Sequence, residues 1–232
     1  MTTDENLPNV SRQAWYKRLL SEEFAFLEQP LPLGSRLIAV AAAAMLVFVF
    51  LFPLWNMTFY SNQYTDGLVL NIYAYHLEGG KTANRDDLRE INSLNHYIGM
   101  RPLLESDFGE FVWLPFAIGG LMLLTLRAAV LGKMSKLVDV FVIFAYFSLY
   151  SFWSFYYRLY TYGHHLDPTA AIKVEPFTPP LFGTQVVGNF TVYSYPDFAS
   201  YAFGAFGLLL VVAIVWAWRA RRKMAAVPAA SV

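Results

Sequence analysis

The 232-residue chain contains no cysteine and has a formal net charge of zero. The absence of cysteine excludes disulfides, thiolate metal sites, iron–sulfur clusters and cysteine nucleophiles. Any bound metal ion would therefore need histidine, methionine, carboxylate or backbone oxygen ligands. Because 17 basic residues balance 17 acidic ones, the chain also lacks the basic excess that nucleic-acid-binding proteins use to neutralise phosphates.

The motifs of common nucleotide-binding and hydrolytic enzymes are missing as well. The sequence has no Walker A motif, no dinucleotide-binding glycine pattern, no Gly-x-Ser-x-Gly and no His-Glu-x-x-His. These absences leave nucleotide binding and hydrolysis without support. They favour a protein that has no enzymatic activity of its own.

Charge is scarce throughout the chain, which points to a membrane. Charged residues make up 15% of the sequence and hydrophobic residues 56%, whereas soluble domains have roughly 25% charged residues. Four apolar stretches are long enough to cross a bilayer core of about 30 Å, which needs roughly 20 helical residues. These predicted spans one to four cover residues 37–55, 111–131, 137–157 and 198–218. The sequence therefore predicts an all-α membrane bundle of four transmembrane helices in a lipid bilayer.

Ionisable residues inside the predicted spans are restricted to Arg127 and Asp139. Both lie close to one membrane surface, where long side chains reach water easily. Four helices without an internal repeat also differ from the architecture of secondary transporters. Transport of ions or protons by this chain alone is therefore not favoured.

The distribution of basic residues predicts the orientation. Eleven of the 17 Lys and Arg residues lie before span one, around the turn between spans two and three (where Arg127 is still inside span two), or after span four. Because basic residues near helix ends favour the cytoplasm, we expect both termini to be cytoplasmic in a bacterial inner membrane. Residues 1–36 are then a cytoplasmic segment with an amphipathic helix on the membrane surface, and residues 219–232 are a cytoplasmic tail.

Two long periplasmic segments, residues 56–110 and 158–197, remain on the other side and predict a small α+β cap. In the first, residues 57–64 and 68–77 form a hairpin around Asp66-Gly67. A helix capped by Asn84 follows and runs to Ile98. The second segment is rich in proline, which favours extended chain, and contains one short strand over residues 186–195.

The first segment carries candidate ligands for a soft metal ion. His96 and Met100 lie four residues apart near the end of the predicted helix, and an imidazole with a thioether suits Cu(I). Met57, just after span one, is a further soft ligand. The alternative is that these residues bind no metal and are a solvent-exposed histidine and methionines packed in a core. His76, in a predicted strand, is interpreted as structural.

The second segment contains the sequence Gly163–Pro168 just after span three, which includes His164, His165 and Asp167. In extended chain neighbouring side chains point in opposite directions, so we expect only one of the two histidines to serve a given site. Asp167 could orient that imidazole. The alternative is a polar turn in which Asp167 binds backbone N–H groups without any metal.

Three sequence strings carry a family resemblance: LNHYIGM at Leu94–Met100, YGHHLDPTAAIK at Tyr162–Lys173 and FTPPLFG at Phe177–Gly183. Together they resemble a family of bacterial four-helix membrane proteins encoded with nitrous oxide reductase and its copper-maturation factors. The likeness extends from about residue 51 to residue 201 and omits the N-terminal extension before residue 37. A family pattern of Gly-His-x-Leu-Asp-Pro matches at His164, whereas His165 falls on its variable position. The resemblance implies a role in copper handling or electron supply for denitrification and supplies no reaction.

Three functions follow as hypotheses. The first is an inner-membrane accessory protein that handles copper or delivers it to a periplasmic enzyme such as nitrous oxide reductase. Its metal ligands would be His96, Met100, His164, Asp167 and Met57, and its partner a copper chaperone or an enzyme subunit. The second is a structural or assembly subunit of a larger respiratory or copper-enzyme complex, with no metal of its own. The third is a subunit of a membrane-bound copper enzyme, which four histidines in total favour less.

The predicted orientation can be tested with a reporter that is active only in the periplasm. Fused after Val232, the reporter is expected to be silent because the basic residues hold the C-terminus in the cytoplasm. The same reporter inserted at Asn84, in the predicted outer segment, is the matched positive control. Activity at Val232 together with silence at Asn84 would reverse the orientation.

Overall fold

The computed structural model describes residue 21 and residues 24–225. The amphipathic helix predicted before residue 36 and the end of the predicted tail therefore lie largely outside the described residues. The long helices are α1 Leu33–Leu51, α2 Asp87–Tyr97, α3 Glu110–Leu131, α4 Met134–His164 and α5 Phe198–Ala225; residues 24–27 are also helical, and a short 3₁₀ helix covers Glu105–Asp107. Of these, α1, α3, α4 and α5 are long and apolar enough to cross a membrane. Their lengths and compositions are those of a multi-pass membrane protein.

The ends of three helices differ from the predicted spans; α5 continues seven residues beyond residue 218, so the predicted tail begins as helix and not at residue 219 as a separate segment. Helix α1 is shifted by four residues towards the N-terminus relative to the stretch 37–55. It ends at Leu51 because Pro53 disfavours helix at the preceding residue, and Phe52 is extended. Helix α4 continues seven residues beyond the stretch 137–157 and ends at His164. The next proline in the chain is Pro168, so no ring interrupts the intervening backbone hydrogen bonds. His164 and its neighbour are therefore at a helix end rather than in extended chain.

The strands form one five-stranded antiparallel sheet and one two-stranded ribbon. They are β1 Trp55–Tyr60, β2 Leu68–Ile72, β3 Leu77–Gly79, β4 Lys81–Thr82, β5 Arg85–Asp86, β6 Gly183–Val187 and β7 Phe190–Pro196. The sheet order is β3-β2-β1-β7-β6, and β4 pairs with β5. The predicted hairpin forms between β1 and β2, with Thr58 opposite Val69, but its second arm ends at Ile72 instead of residue 77, so His76 lies in the turn before β3 and not in a strand. We call the sheet, the ribbon, α2 and the chain that links them the cap.

The single strand predicted over residues 186–195 is instead a hairpin of two strands. Val187 pairs with Phe190 across the two-residue turn Gly188-Asn189, a dipeptide typical of tight hairpins. Because apolar and aromatic residues continue on both sides of this turn, the sequence pattern does not reveal that the chain reverses its direction there. Strand β7 then pairs through residues 191–196 with the whole of β1, with Thr58 opposite Tyr193. Both long segments therefore contribute to the same sheet.

Two separate apolar cores hold these parts together. In the helical bundle α1 packs closely along α5 and α3, and its buried Ala39, Ala42 and Ala43 allow the backbones to approach, as small residues do between membrane helices. Helix α4 contacts its neighbours much less extensively. The cap has its own core, made of Trp55, Met57, Leu68, Leu70, Leu77, Ile91 and Val192.

Helix α2 begins differently from its predicted capping. Its N-cap is Asp86, whose carboxylate accepts hydrogen bonds from the backbone N–H groups of Leu88 and Arg89. The predicted cap, Asn84, lies in the turn between β4 and β5, because those strands use the chain up to residue 86. Asp87 is only 2% exposed and accepts from the Val69 N–H at 2.9 Å. This bond ties the first turn of α2 to β2.

The packing of α2 can be tested at Ile91, which is buried in the cap core. Ile91→Asp places an unpaired charge among apolar side chains and is expected to cost several kcal/mol. The cap should then lose its resistance to limited proteolysis while the membrane helices stay helical. Ser93→Asp, on the exposed face of the same helix, is the matched control and should keep wild-type resistance. Equal resistance of both variants would show that α2 does not support the cap.

Candidate functional site

Two loops about 70 residues apart in sequence are held together by backbone hydrogen bonds. The Asp167 N–H donates to the Gly99 carbonyl at 2.8 Å, and the Ile172 N–H donates to the Tyr97 carbonyl at 2.9 Å. Gly99 has a φ of +79°, and a Cβ atom there would lie 2.7 Å from the Asp167 carbonyl oxygen. Only glycine combines this backbone conformation with so close an approach. We call this pair of loops the clasp.

The clasp surrounds an open pocket of about 810 Å³, which we call the histidine pocket. It is lined by His96, Met100, His164, His165 and Asp167, together with the basic Arg101 and the uncharged residues Tyr97, Gly99, Pro102, Leu166, Thr169, Ala170 and Ala171. Four of the five predicted metal ligands therefore meet around one space. Their convergence depends on α4 extending to residue 164, since this length carries its last turn to the end of α2.

The two adjacent histidines both have one ring nitrogen fixed by the backbone. Nδ1 of His164 lies 3.0 Å from the carbonyl oxygen of Tyr160, and Nδ1 of His165 lies 3.2 Å from that of Thr161. A carbonyl oxygen only accepts, so Nδ1 is the donor in both rings and Nε2 keeps its lone pair in the neutral form. The His164 ring also stacks on the ring of Tyr160, with 3.8 Å between the two centroids. This pattern of bonding is the one that orients histidine for a metal ion through Nε2.

Asp167 forms a polar turn of the kind that the sequence left open. Its Oδ1 accepts hydrogen bonds from the Thr169 hydroxyl at 2.7 Å and the Thr169 N–H at 2.8 Å. These two bonds hold the pKa of Asp167 below its usual value, and the nearby imidazole of His96 lowers that pKa further. The carboxylate therefore stays ionised at neutral pH and places one negative charge in the histidine pocket, which the positively charged Arg101 also lines.

Met57 and His76 lie elsewhere. Met57 is 4% exposed in the cap core, so its thioether does not join the other predicted ligands; its position in β1 directs it to the apolar face of the sheet. The His76 ring stacks against those of Tyr73 and Tyr75, at 4.3 and 4.5 Å between centroids. Among the residues that the structure describes, no group of three His, Cys, Asp or Glu side chains is placed to hold a metal ion.

A second feature, which the sequence did not reveal, is an ion pair between two membrane helices. Nε and Nη2 of Arg158 donate to the two carboxylate oxygens of Glu110 at 3.0 and 2.9 Å. The Ser154 hydroxyl donates to the same carboxylate at 2.7 Å. Glu110 begins α3, and Arg158 lies in the part of α4 beyond the predicted span. Both residues lie outside the predicted spans. The sequence would have indicated their pairing only if α4 had been predicted to continue past residue 157 and so to include Arg158.

This ion pair lines an apolar crevice of about 1480 Å³ between the cap and the helices α3, α4 and α5.

Comparison with known proteins adds no precedent for the histidine pocket or for the crevice: no family model matches the chain, and no curated protein or solved structure matches it. The histidine pocket and the crevice must therefore be interpreted from their own chemistry.

The clasp makes a testable prediction at Gly99. Gly99→Ala forces an L side chain into the left-handed region at a cost of roughly 1–2 kcal/mol, and its methyl group meets the Asp167 carbonyl. The amide protons of Asp167 and Ile172 are therefore expected to exchange with solvent faster than in the wild type. Gly109→Ala is the matched control, since a Cβ there meets no atom within 4 Å. Equal exchange in the two variants would mean that the clasp does not depend on Gly99.

Proposed function

We propose that the protein is a membrane-anchored accessory protein that binds Cu(I) transiently in the histidine pocket and passes it to a partner. Copper is cargo in this proposal, and the ligands are His96, His164 and Met100. The observation that carries the proposal is the convergence of these residues, from two distant loops, around one open pocket.

The chemistry of the ligand set supports a soft monovalent ion. Cu(I) accepts imidazole and thioether ligands, and the fixed Nδ1 of His164 leaves its Nε2 available for such a bond. The ionised Asp167 adds a favourable charge for a cation without being a required ligand. Hard cations such as Mg²⁺ and Ca²⁺ prefer several oxygen ligands, and the pocket offers one carboxylate.

The shape of the pocket supports transfer rather than storage. Closed structural metal sites surround the ion with four protein ligands, whereas this pocket is open and its described residues do not form a complete cage. An ion held by two or three ligands keeps a free position that a ligand of the recipient protein can occupy. A copper chaperone or a subunit of a copper enzyme fits this role.

The proposed setting follows from the charge distribution and the family resemblance. With both termini in the cytoplasm, the cap and the histidine pocket face the periplasm of a bacterial cell. A periplasmic copper enzyme of denitrification, such as nitrous oxide reductase, is then the proposed recipient. The four apolar helices serve as the anchor.

A specific feature of α4 favours a second candidate, a structural subunit of a larger membrane complex. Tyr146 is 73% exposed and Tyr150 is 51% exposed, and both lie near the middle of this 31-residue helix. A phenol hydroxyl in the hydrocarbon core lacks water as a partner, which is unfavourable. A neighbouring protein helix that bonds these hydroxyls would remove the cost. In this candidate function the cap is an interface and binds no metal.

A copper titration separates the two candidates. His96→Ala and His164→Ala should each weaken Cu(I) binding by about 10- to 100-fold, the range known for losing even an indirect support of a metal ligand. The measurement is a competition titration of the purified protein in detergent against a chromophoric Cu(I) chelator.

His76→Ala is the matched control, because this histidine lies in the cap but outside the histidine pocket. Its copper affinity should equal that of the wild type, provided that circular dichroism shows a folded protein. The same affinity in all three variants would end the copper proposal and leave the structural subunit as the function.

A further inference from the structure

The apolar crevice is a separate feature that the copper proposal does not use. Its walls are the inner face of α4, the first half of α5, the start of α3 and the apolar face of the cap sheet. The aromatic rings of Phe144, Phe147, Phe155 and Phe203 contribute much of this surface. The crevice exists because α4 stands away from the tightly packed bundle of α1, α3 and α5.

The depth of the crevice matches one leaflet of a bilayer. Its wall on α5 extends from Ser200 to Val211, which at about 1.5 Å per residue is about 16 Å along the helix. Half of a bilayer core of about 30 Å is nearly the same length. The crevice therefore spans the leaflet on the cap side and ends near the middle of the membrane.

The charged side chains that the membrane helices contribute to the crevice lie at its cap end, whereas the hydroxyls of Ser148 and Ser151 lie deeper. Glu110 is the first residue of α3, and its pairing with Arg158 places the ion pair where the helices leave the apolar layer. The pair is neutral overall and has Ser154 bonded to it. A crevice with an apolar depth and a polar rim at the height of lipid headgroups has the polarity profile of an amphiphilic lipid.

We propose that the crevice binds a long-chain amphiphilic lipid from the leaflet on the cap side. The acyl chains lie along α4 and α5 beside the contact between Phe144 and Phe203, whose ring centroids are 5.0 Å apart, and the polar head lies beside the Glu110–Arg158 pair. The volume of about 1480 Å³ exceeds the roughly 300–1,000 Å³ of pockets for drug-sized ligands, in keeping with a ligand that has long chains. The occupant is a phospholipid, because its charged head group can interact with the ion pair while its acyl chains match the apolar depth.

A glycine on the crevice wall provides a direct test. Gly204 lines the crevice, and a Cβ atom built on it meets no atom within 4 Å. Gly204→Leu therefore fills the space of the ligand without displacing protein atoms, and leucine favours helix over glycine. Gly120→Leu is the matched control, since Gly120 also faces open space within a membrane helix but does not line the crevice.

The experiment compares lipid retained by the purified full-length proteins after extensive exchange into a lipid-free detergent. Native mass spectrometry and organic extraction should find a stoichiometric lipid in the wild type and in Gly120→Leu, and its loss in Gly204→Leu. Phosphate analysis of the extract identifies the expected phospholipid; a quinone in its place, recognised by its ultraviolet spectrum, overturns the proposal. The proposal is overturned if the wild type retains no lipid, or if Gly204→Leu retains as much lipid as Gly120→Leu.

A second variant guards against misfolding. If Gly204→Leu is not monodisperse, Ser151→Leu on the opposite wall takes its place and should also lose the bound lipid, because the leucine adds bulk to the crevice. This substitution removes a buried hydroxyl that has no hydrogen-bond partner in the described structure. Copper affinity should be unchanged in every crevice variant, because Gly204 and Ser151 lie outside the histidine pocket. Failure of the lipid proposal therefore leaves the copper proposal unaffected, and the reverse also holds.

Discussion

The antiparallel pairing of β1 with β7 is the interaction on which the rest of the structure depends. It joins two segments whose paired residues, such as Trp55 and Pro196, lie far apart in the chain. The indole N–H of Trp55 donates to the buried hydroxyl of Ser194 at 2.8 Å, and that hydroxyl donates to the Leu181 carbonyl at 3.1 Å. Because β1 follows α1 and β7 precedes α5, the pairing also fixes the ends of the two helices that pack most closely. The proline-rich chain, the sheet and the bundle are thereby linked at one place.

The packing of the bundle leaves α4 in a different position from its neighbours. Alanines on α1 allow close packing with α3 and α5, whereas the inner face of α4 carries large rings such as Phe144 and Phe147. Aromatic side chains of this size hold the helix backbones apart, and the crevice is the result. The Glu110–Arg158 pair bridges the same gap at the cap end, so α4 is anchored at that end by charge and by the clasp as well as by aromatic contacts such as that of Phe155 with Trp55.

The histidine pocket and the crevice are chemically different but share one boundary. Tyr97 and Met100, at the end of α2, line both. On one side lie imidazoles with fixed tautomers and an ionised carboxylate, and on the other side lie almost exclusively apolar side chains. The end of α2 is therefore a wall of both spaces.

The sequence by itself determined the features that depend on neighbouring residues: four apolar helices, the β1–β2 hairpin around Asp66-Gly67 and the choice of His96, Met100, His164 and Asp167 as a candidate site. Local patterns suffice there, because hydropathy and turn preference act over a few residues. The tertiary structure alone decided the β1–β7 pairing, the clasp at Gly99, the exclusion of Met57 from the site and the pairing of Glu110 with Arg158. Each of these joins groups far apart in the chain, and contacts of that kind depend on three-dimensional packing, for which a single sequence carries no periodic signal.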